Sequence, residues 1–118
     1  MSSVKTGTSP EMLVQRSTDA YNAHDAAAFA AVYAPDLQLF DFGGELYLFG
    51  RDALRERYAQ LFASAPNVAV EIRKRIVVGN VVIDEEYITG TASGRSTHLA
   101  VMYEIAGDLI RRVWVARE

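Results

Sequence analysis

At 118 residues the chain has the length of one domain, enough for a single core and too short for two. Half of it is hydrophobic, with five Phe, six Tyr and one Trp to fill a core or line a cavity, and it has no cysteine, which excludes a disulfide framework, thiol catalysis and thiolate metal sites. A net charge of −3, with no long basic run apart from Arg73-Lys74-Arg75, gives no reason to expect a nucleic-acid partner. No stretch approaches the ~20 apolar residues of a membrane span, and the start, MSSVKTGTSPEM, lacks the apolar core of a signal peptide. The expectation is a soluble cytoplasmic protein with no membrane partner, with a loose polar tail over residues 1–8 and one domain over 9–118.

In chain order, Ser9-Pro10-Glu11 reads as a helix start: a capping hydroxyl, a proline suited to the first turn, and an acid that complements the helix dipole. Leu13, Ser17, Ala20 and Tyr21 then fall on one helical face. Asn22 to Asp25 interrupts, and Asp25 is placed to cap a short alanine-rich helix ending near Tyr33, before Pro35. The next stretch, LQLFDFGG, reads as a strand carrying one acid, Asp41. Gly43-Gly44 and Gly50 bracket a loop or short hairpin. Asp52 is placed to cap a third helix with the apolar stripe Leu54, Tyr58, Leu61 and Phe62, and Pro66-Asn67 closes it.

From Val68 the period changes to two, which predicts strands over 68–78, 81–89, 97–105 and 109–116. Gly79-Asn80 is a two-residue hairpin loop, Gly90 to Ser96 a longer one, and Ala106-Gly107-Asp108 a tight turn. Helices followed by a run of antiparallel strands predict an α+β fold with three helices on one face of a curved sheet.

The Gly79-Asn80 loop fixes which residues oppose one another. One face receives Val78 with Val81, Ile76 with Ile83, Lys74 with Glu85, and Ile72 with Tyr87; the other receives Arg75 with Asp84 and Arg73 with Glu86. The second set reads as a solvated or subunit-facing surface that also carries Val77, Val82 and Ile88. The first reads as the more apolar face, where Lys74 and Glu85 are either a rim salt bridge or polar groups of a pocket. In the last hairpin a bulge can change the parity, so either Arg111 or Arg112 is expected to point toward the helices, with Trp114 on the face of Arg112. His24 reads as a turn residue, and two isolated histidines make no metal site.

Asp41 poses a sharper question, because a buried, unpaired carboxylate is costly. It is a turn residue, a paired structural acid, or a group whose raised pKa is useful.

A helix, a short helix ending in Tyr33-Ala34-x-Asp36, an acid-bearing strand, Gly50-Arg51-x-Ala53-Leu54-Arg55 and then long hairpins resemble the nuclear transport factor 2-like superfamily, and within it the SnoaL-like branch and the ketosteroid isomerases, from Leu13 onward. The resemblance implies a cone-shaped, cystatin-like α+β roll and a homodimer through the outer sheet face. Against the isomerase pattern, the catalytic aspartate falls on Asp41, the tyrosine of the third helix on Tyr58, and the aromatic at the end of the second helix on Tyr33. The oxyanion-hole tyrosine falls on Ser17, and the protonated acid on or next to Val101, so the base is present without its two donors. Glu85 stands where related SnoaL-like chains often hold a histidine.

The resemblance therefore implies a small, largely apolar or polar-tipped ligand and proton transfer of isomerase, cyclase or lyase type by Asp41, without steroid isomerisation. Tyr58, with Ser17 or an inward arginine, would supply the electrophile, and Glu85 a second acid-base group. Tyr33, Lys74, Tyr87, Arg112 and Trp114 would complete the binding site, with no metal and no cofactor. Non-catalytic binding of a small molecule, or dimerisation alone, is the alternative.

Overall fold

The structure, a computed structural model, describes residues 8–118; the tail expected over residues 1–8 lies outside them apart from Thr8. Helix α1 (Pro10–Asn22) opens as expected, with the Ser9 hydroxyl accepting from the Met12 amide at 3.2 Å. It buries Leu13, Val14, Ser17, Thr18, Ala20 and Tyr21. His24 takes a positive φ of 57° in the turn, and its ring stacks on Phe62 while bonding the Val68 carbonyl at 2.6 Å. Helix α2 (Ala26–Ala31) is capped by the Asp25 carboxylate.

Two boundaries differ from the sequence reading, and the loop between Gly43 and Gly50 resolves to the short hairpin it allowed. Helix α2 stops at Ala31, so Tyr33 and Pro35 already belong to strand β1 (Tyr33–Asp41). The proline falls between Tyr33 and Gln38, where the β1 register is irregular and a missing amide is tolerated. Gly43-Gly44 turns the chain into β2 (Leu46–Phe49), the short hairpin. Helix α3 (Arg51–Ser64) has Gly50 as its N-cap, with no side-chain cap, and Asp52 lies in the first turn, where its charge favours the helix dipole.

Strands β3 (Ala69–Val78), β4 (Val81–Thr89), β5 (Thr97–Ala106) and β6 (Leu109–Arg117) follow the predicted spans closely. The six strands form one curved sheet in the order β2-β1-β6-β5-β4-β3, antiparallel except for the parallel β1–β6 pair, with three helices beside it.

The β3–β4 hairpin pairs as expected from Val78/Val81 to Lys74/Glu85, and a bulge at Arg73 then shifts the register, so that Ile72 opposes Glu86 and Glu71 opposes Tyr87. The faces, however, are inverted. Val82 and Asp84 are fully buried, Glu86 is 6% exposed, and Ile88 packs against the core, so this is the inner face. The cause lies one strand over. Leu99, Val101 and Tyr103 are the buried alternation of β5, and they oppose Glu86, Asp84 and Val82. A strand's paired residues share its neighbour's face, so β5 dictates which side of β4 is covered.

A second bulge between Glu104 and Ile105 and their β6 partners leaves Arg111 out of the ladder. Both Arg111 and Arg112 are consequently exposed, on Asp36 and Glu104, respectively, and neither points into the core.

Candidate functional site

Between α1, α2, α3 and the inner face of the sheet lies a cavity of about 270 Å³. Its lining is mainly apolar and aromatic, including Tyr21, Phe29, Tyr33, Tyr58 and Tyr103, with few polar groups. Phe29 sits 4.6 Å from Tyr58 and 5.2 Å from Tyr33, between ring centroids, so α2 fixes the two tyrosines through one phenyl ring.

Helix α1 contributes two adjacent hydroxyls that behave differently. Thr18 bonds back to the Val14 carbonyl of its own helix. Ser17 instead meets the Tyr33 hydroxyl at 2.8 Å, fully out of solvent. Burial raises the pKa of Tyr33 and of Tyr58 well above that of a free phenol, and that of Tyr21 to about 12. All three are therefore neutral hydrogen-bond donors at any physiological pH.

Strand β4 puts two acids into this apolar setting. Asp84 is held by Arg75, Nε to Oδ1 at 2.7 Å and Nη2 to Oδ2 at 2.9 Å, a bidentate ion pair. Glu86 has a single partner among the described residues: the Tyr103 hydroxyl donates to its Oε2 at 2.9 Å. The other oxygen, Oε1, has no such partner, yet among the described residues no buried side-chain oxygen is both sealed and unbonded. Oε1 therefore opens on the cavity that Glu86 lines. Burial is the main cause that lifts the Glu86 pKa to about 7; nearby Asp84 adds to it, while the Tyr103 bond and Arg75 oppose it. Tyr21, Tyr33 and Tyr58 all lie within the field of this carboxylate.

At the rim stands Arg117, which lines the cavity with its side chain half exposed. Its Nη1 donates to Asp41 Oδ1 at 2.8 Å and its Nη2 to the Tyr47 hydroxyl at 3.1 Å. Asp41 itself does not line the cavity. Its backbone closes the Gly43-Gly44 turn, accepting from the Gly44 amide and donating to the Glu45 carbonyl, and its carboxylate is 47% exposed and paired with Arg117.

Of the side chains singled out in the sequence, Ser17, Tyr33 and Tyr58 meet in the cavity and Asp41 reaches its rim through Arg117. The expectation that Glu85 and Tyr87 share the cavity is not met, because the inverted faces of β4 place both on the outer side of the sheet. There Glu85 bonds His98 at 2.8 Å, His98 bonds Glu118 at 3.1 Å, and Tyr87 stacks on the His98 ring at 4.2 Å with Arg73 above it. Lys74 is exposed on that outer side. Arg112 pairs with Glu104, and Trp114 stacks on Phe40 with centroids 5.7 Å apart, away from the cavity lining.

The residues that sequence reasoning missed are Glu86, Tyr103 and Arg117. The strict alternation of Leu99, Val101, Tyr103 and Ile105 was the signal that could have found them, since carrying its face through the β4–β5 and β5–β6 pairings turns all three inward.

The described residues include no helix long and apolar enough to cross a membrane. No curated protein matches the sequence. Among solved structures the chain is similar in fold to a cystatin-fold protein of Novosphingobium aromaticivorans, with a TM-score of 0.85 and 24% identity over 92% of this chain and 98% of that one. An NTF2-like protein of Cytophaga hutchinsonii superposes with a TM-score of 0.80 at 16% identity, covering 98% and 95%. A protein of Catenulispora acidiphila with a ketosteroid isomerase-like fold, solved in complex with trimethylamine, gives 0.75 at 24% identity, covering 92% and 85%. Residues 14–113, which carry every element from α1 to most of β6, match the model of the SnoaL-like domain, and the chain belongs to that family.

Proposed function

We propose that the cavity binds a small, largely apolar molecule and that Glu86, rather than Asp41, moves a proton on it, in the manner of an isomerase, cyclase or lyase. One observation carries the reading: a carboxylate 6% exposed, with a pKa near 7 and one oxygen open to an aromatic cavity. A base is most effective when its pKa lies near the working pH, because it is then both available and strong enough to pull. Asp41, half exposed and paired with an arginine, lacks that setting.

In the proposed step, ionised Glu86 takes a proton from a carbon next to a ligand carbonyl. The C–H electron pair moves into the new C=C bond, and the carbonyl oxygen gains negative charge. Neutral tyrosine hydroxyls, Tyr58 or the Tyr33 that Ser17 orients, donate hydrogen bonds to that oxygen. Return of the proton from Glu86 to another carbon completes an isomerisation. A homodimer through the outer face of the sheet, where Trp114 and Phe40 stack, belongs to the same proposal; light scattering that gives a 13.0 kDa particle at micromolar concentration removes it.

The test is hydrogen exchange into a panel of small aryl and cyclic ketones in D2O, followed by proton NMR. Wild-type protein is expected to accelerate exchange at the carbon beside the carbonyl, Glu86→Gln to lose the acceleration by about 100-fold or more, and Asp41→Asn to retain it. Exchange that survives in Glu86→Gln overturns the base assignment. Ligand line broadening without exchange in any form supports a binding module with no turnover.

A further inference from the structure

We infer that Arg117 anchors a carboxylate of the ligand at the rim of the cavity, with Asp41 and Tyr47 as positioning residues, so that the molecule bound is an apolar acid whose charged end stays at the mouth. The inference rests on the reading of the cavity as a small-molecule site given above.

Arg117 is the only Lys or Arg among the described residues that line the cavity. It is also held in place. Asp41 takes one N–H and Tyr47 another, and the guanidinium lies 5.5 Å from the centre of the Tyr47 ring. A guanidinium has five N–H donors in a fixed fork, so several remain for an incoming ligand, and a carboxylate matches that fork with two parallel hydrogen bonds. Because Asp41 and Tyr47 hold the side chain before binding, little side-chain freedom is lost when the ligand arrives.

Charge at the rim favours an anion. Arg57 lies outside the cavity lining but approaches the same Tyr47 ring at 5.7 Å with no ion-pair partner among the described residues, so it adds positive charge beside the rim. Charge at the other end repels one. Glu86 and Asp84 stand deep on β4, and an anionic group buried beside them would raise the cost of both. The two ends are also aligned. Glu86 opposes Leu99 and Leu99 opposes Arg117, so the acid and the arginine occupy one row of the inner face across three adjacent strands, two strand spacings or ~10 Å apart along the backbone. A ligand with its carboxylate on Arg117 and an apolar body pointing inward lays the atoms next to that body against Glu86. This assigns Asp41 a reason to carry charge at the end of β1: it orients the anchor.

Calorimetric titration at pH 7.5 with 4-phenylbutanoate, its methyl ester and the matching 4-phenylbutylamine tests the inference. Wild-type protein is expected to bind the acid at least 10-fold more tightly than the ester and to disfavour the amine. Arg117→Met should bring the acid-to-ester ratio close to one while leaving ester affinity within about twofold. Arg117→Lys, which keeps the charge but loses the fork, should give an intermediate ratio and serves if the methionine variant does not fold. Asp41→Asn should reduce the ratio several-fold without changing ester binding, a pattern that a purely structural turn acid would not produce. An ester bound as tightly as the acid by wild type, tighter binding of the amine, or a preference that survives in both Arg117 variants overturns the anchor while leaving the cavity reading intact. Failure of all three probes to bind overturns the cavity reading and the anchor with it.

Discussion

Asp84 and Glu86 stand two residues apart on the same covered face of β4, and among the described residues only the first has a cation paired with it: Arg75 grips both oxygens of Asp84, whereas Glu86 is held by one tyrosine hydroxyl. Removing one partner of a buried ion pair leaves an uncompensated charge, which costs about 3–5 kcal/mol. Arg75→Met is expected to destabilise the fold by that order in urea denaturation, and the double variant with Asp84→Asn to recover a large part of it. Equal stability of the single and double variants would count against the pairing.

The Glu86 carboxyl gives the opposite sign. Its pKa rises from 4.5 to about 7 on folding, so the folded state binds the proton more tightly than the unfolded chain. Below pH 4.5 both states are protonated and nothing is lost; stability falls as pH rises from there through 7, and the full penalty, at most about 3 kcal/mol, is present above it. Glu86→Gln is expected to raise the melting temperature at pH 8 and to leave it nearly unchanged at pH 4. A variant that is less stable than wild type at pH 8 would contradict the assignment.

On the outer face, His98 bonds Glu85 and Glu118, and these contacts raise its pKa above 6.5, with the Glu85 bond the largest cause and partial burial opposing. The stabilisation is fully present below pH 6.5 and is lost as pH rises through the folded-state value. NMR titration of the His98 ring should give a midpoint above that of a free histidine, and Glu85→Gln should lower it. Tyr87 stacks on this ring, with Arg73 on the Tyr87 ring in turn, so the Tyr87 resonances should move with the same midpoint.

Gly90 has a positive φ of 70°, and a Cβ there would lie 2.0 Å from the Asn67 carbonyl oxygen and 2.5 Å from its carbon. Both atoms are backbone, so the β4 terminus and the turn before β3 would have to part. Gly90→Ala should cost about 3 kcal/mol or more. Gly44→Ala, with a φ of 106° but no atom within 4 Å of the added carbon, should cost only its backbone strain, about 1 kcal/mol. Comparing the two by chemical denaturation separates collision from conformation.

The elements and hairpin partners were legible because each rests on local chemistry: a capping serine and aspartate, a Gly-Asn loop, and an alternation that runs for 10 residues in β5. The face of β4 was not. Ile76 and Ile83 make its outer side the more apolar by composition, whereas the inner side carries Asp84 and Glu86, whose cost is met by Arg75 and by Tyr103 from the neighbouring strand. A single hairpin examined alone cannot reveal a compensation supplied by a third strand. The same holds at Asp41, whose partner Arg117 lies 76 residues further along the chain.

The parallel pairing of β1 with β6, Leu39 on Val113 and Asp41 on Val115, has a consequence for how the protein is made. At ~5–20 residues per second a ribosome delivers β6 several seconds after β1. Through that interval β3, β4 and β5 can zip by neighbouring turns, while β1 waits with the edge that β6 will occupy unpaired. Until β6 emerges the chain carries that open edge, and β6 then both seals it and brings the rim arginine to the cavity.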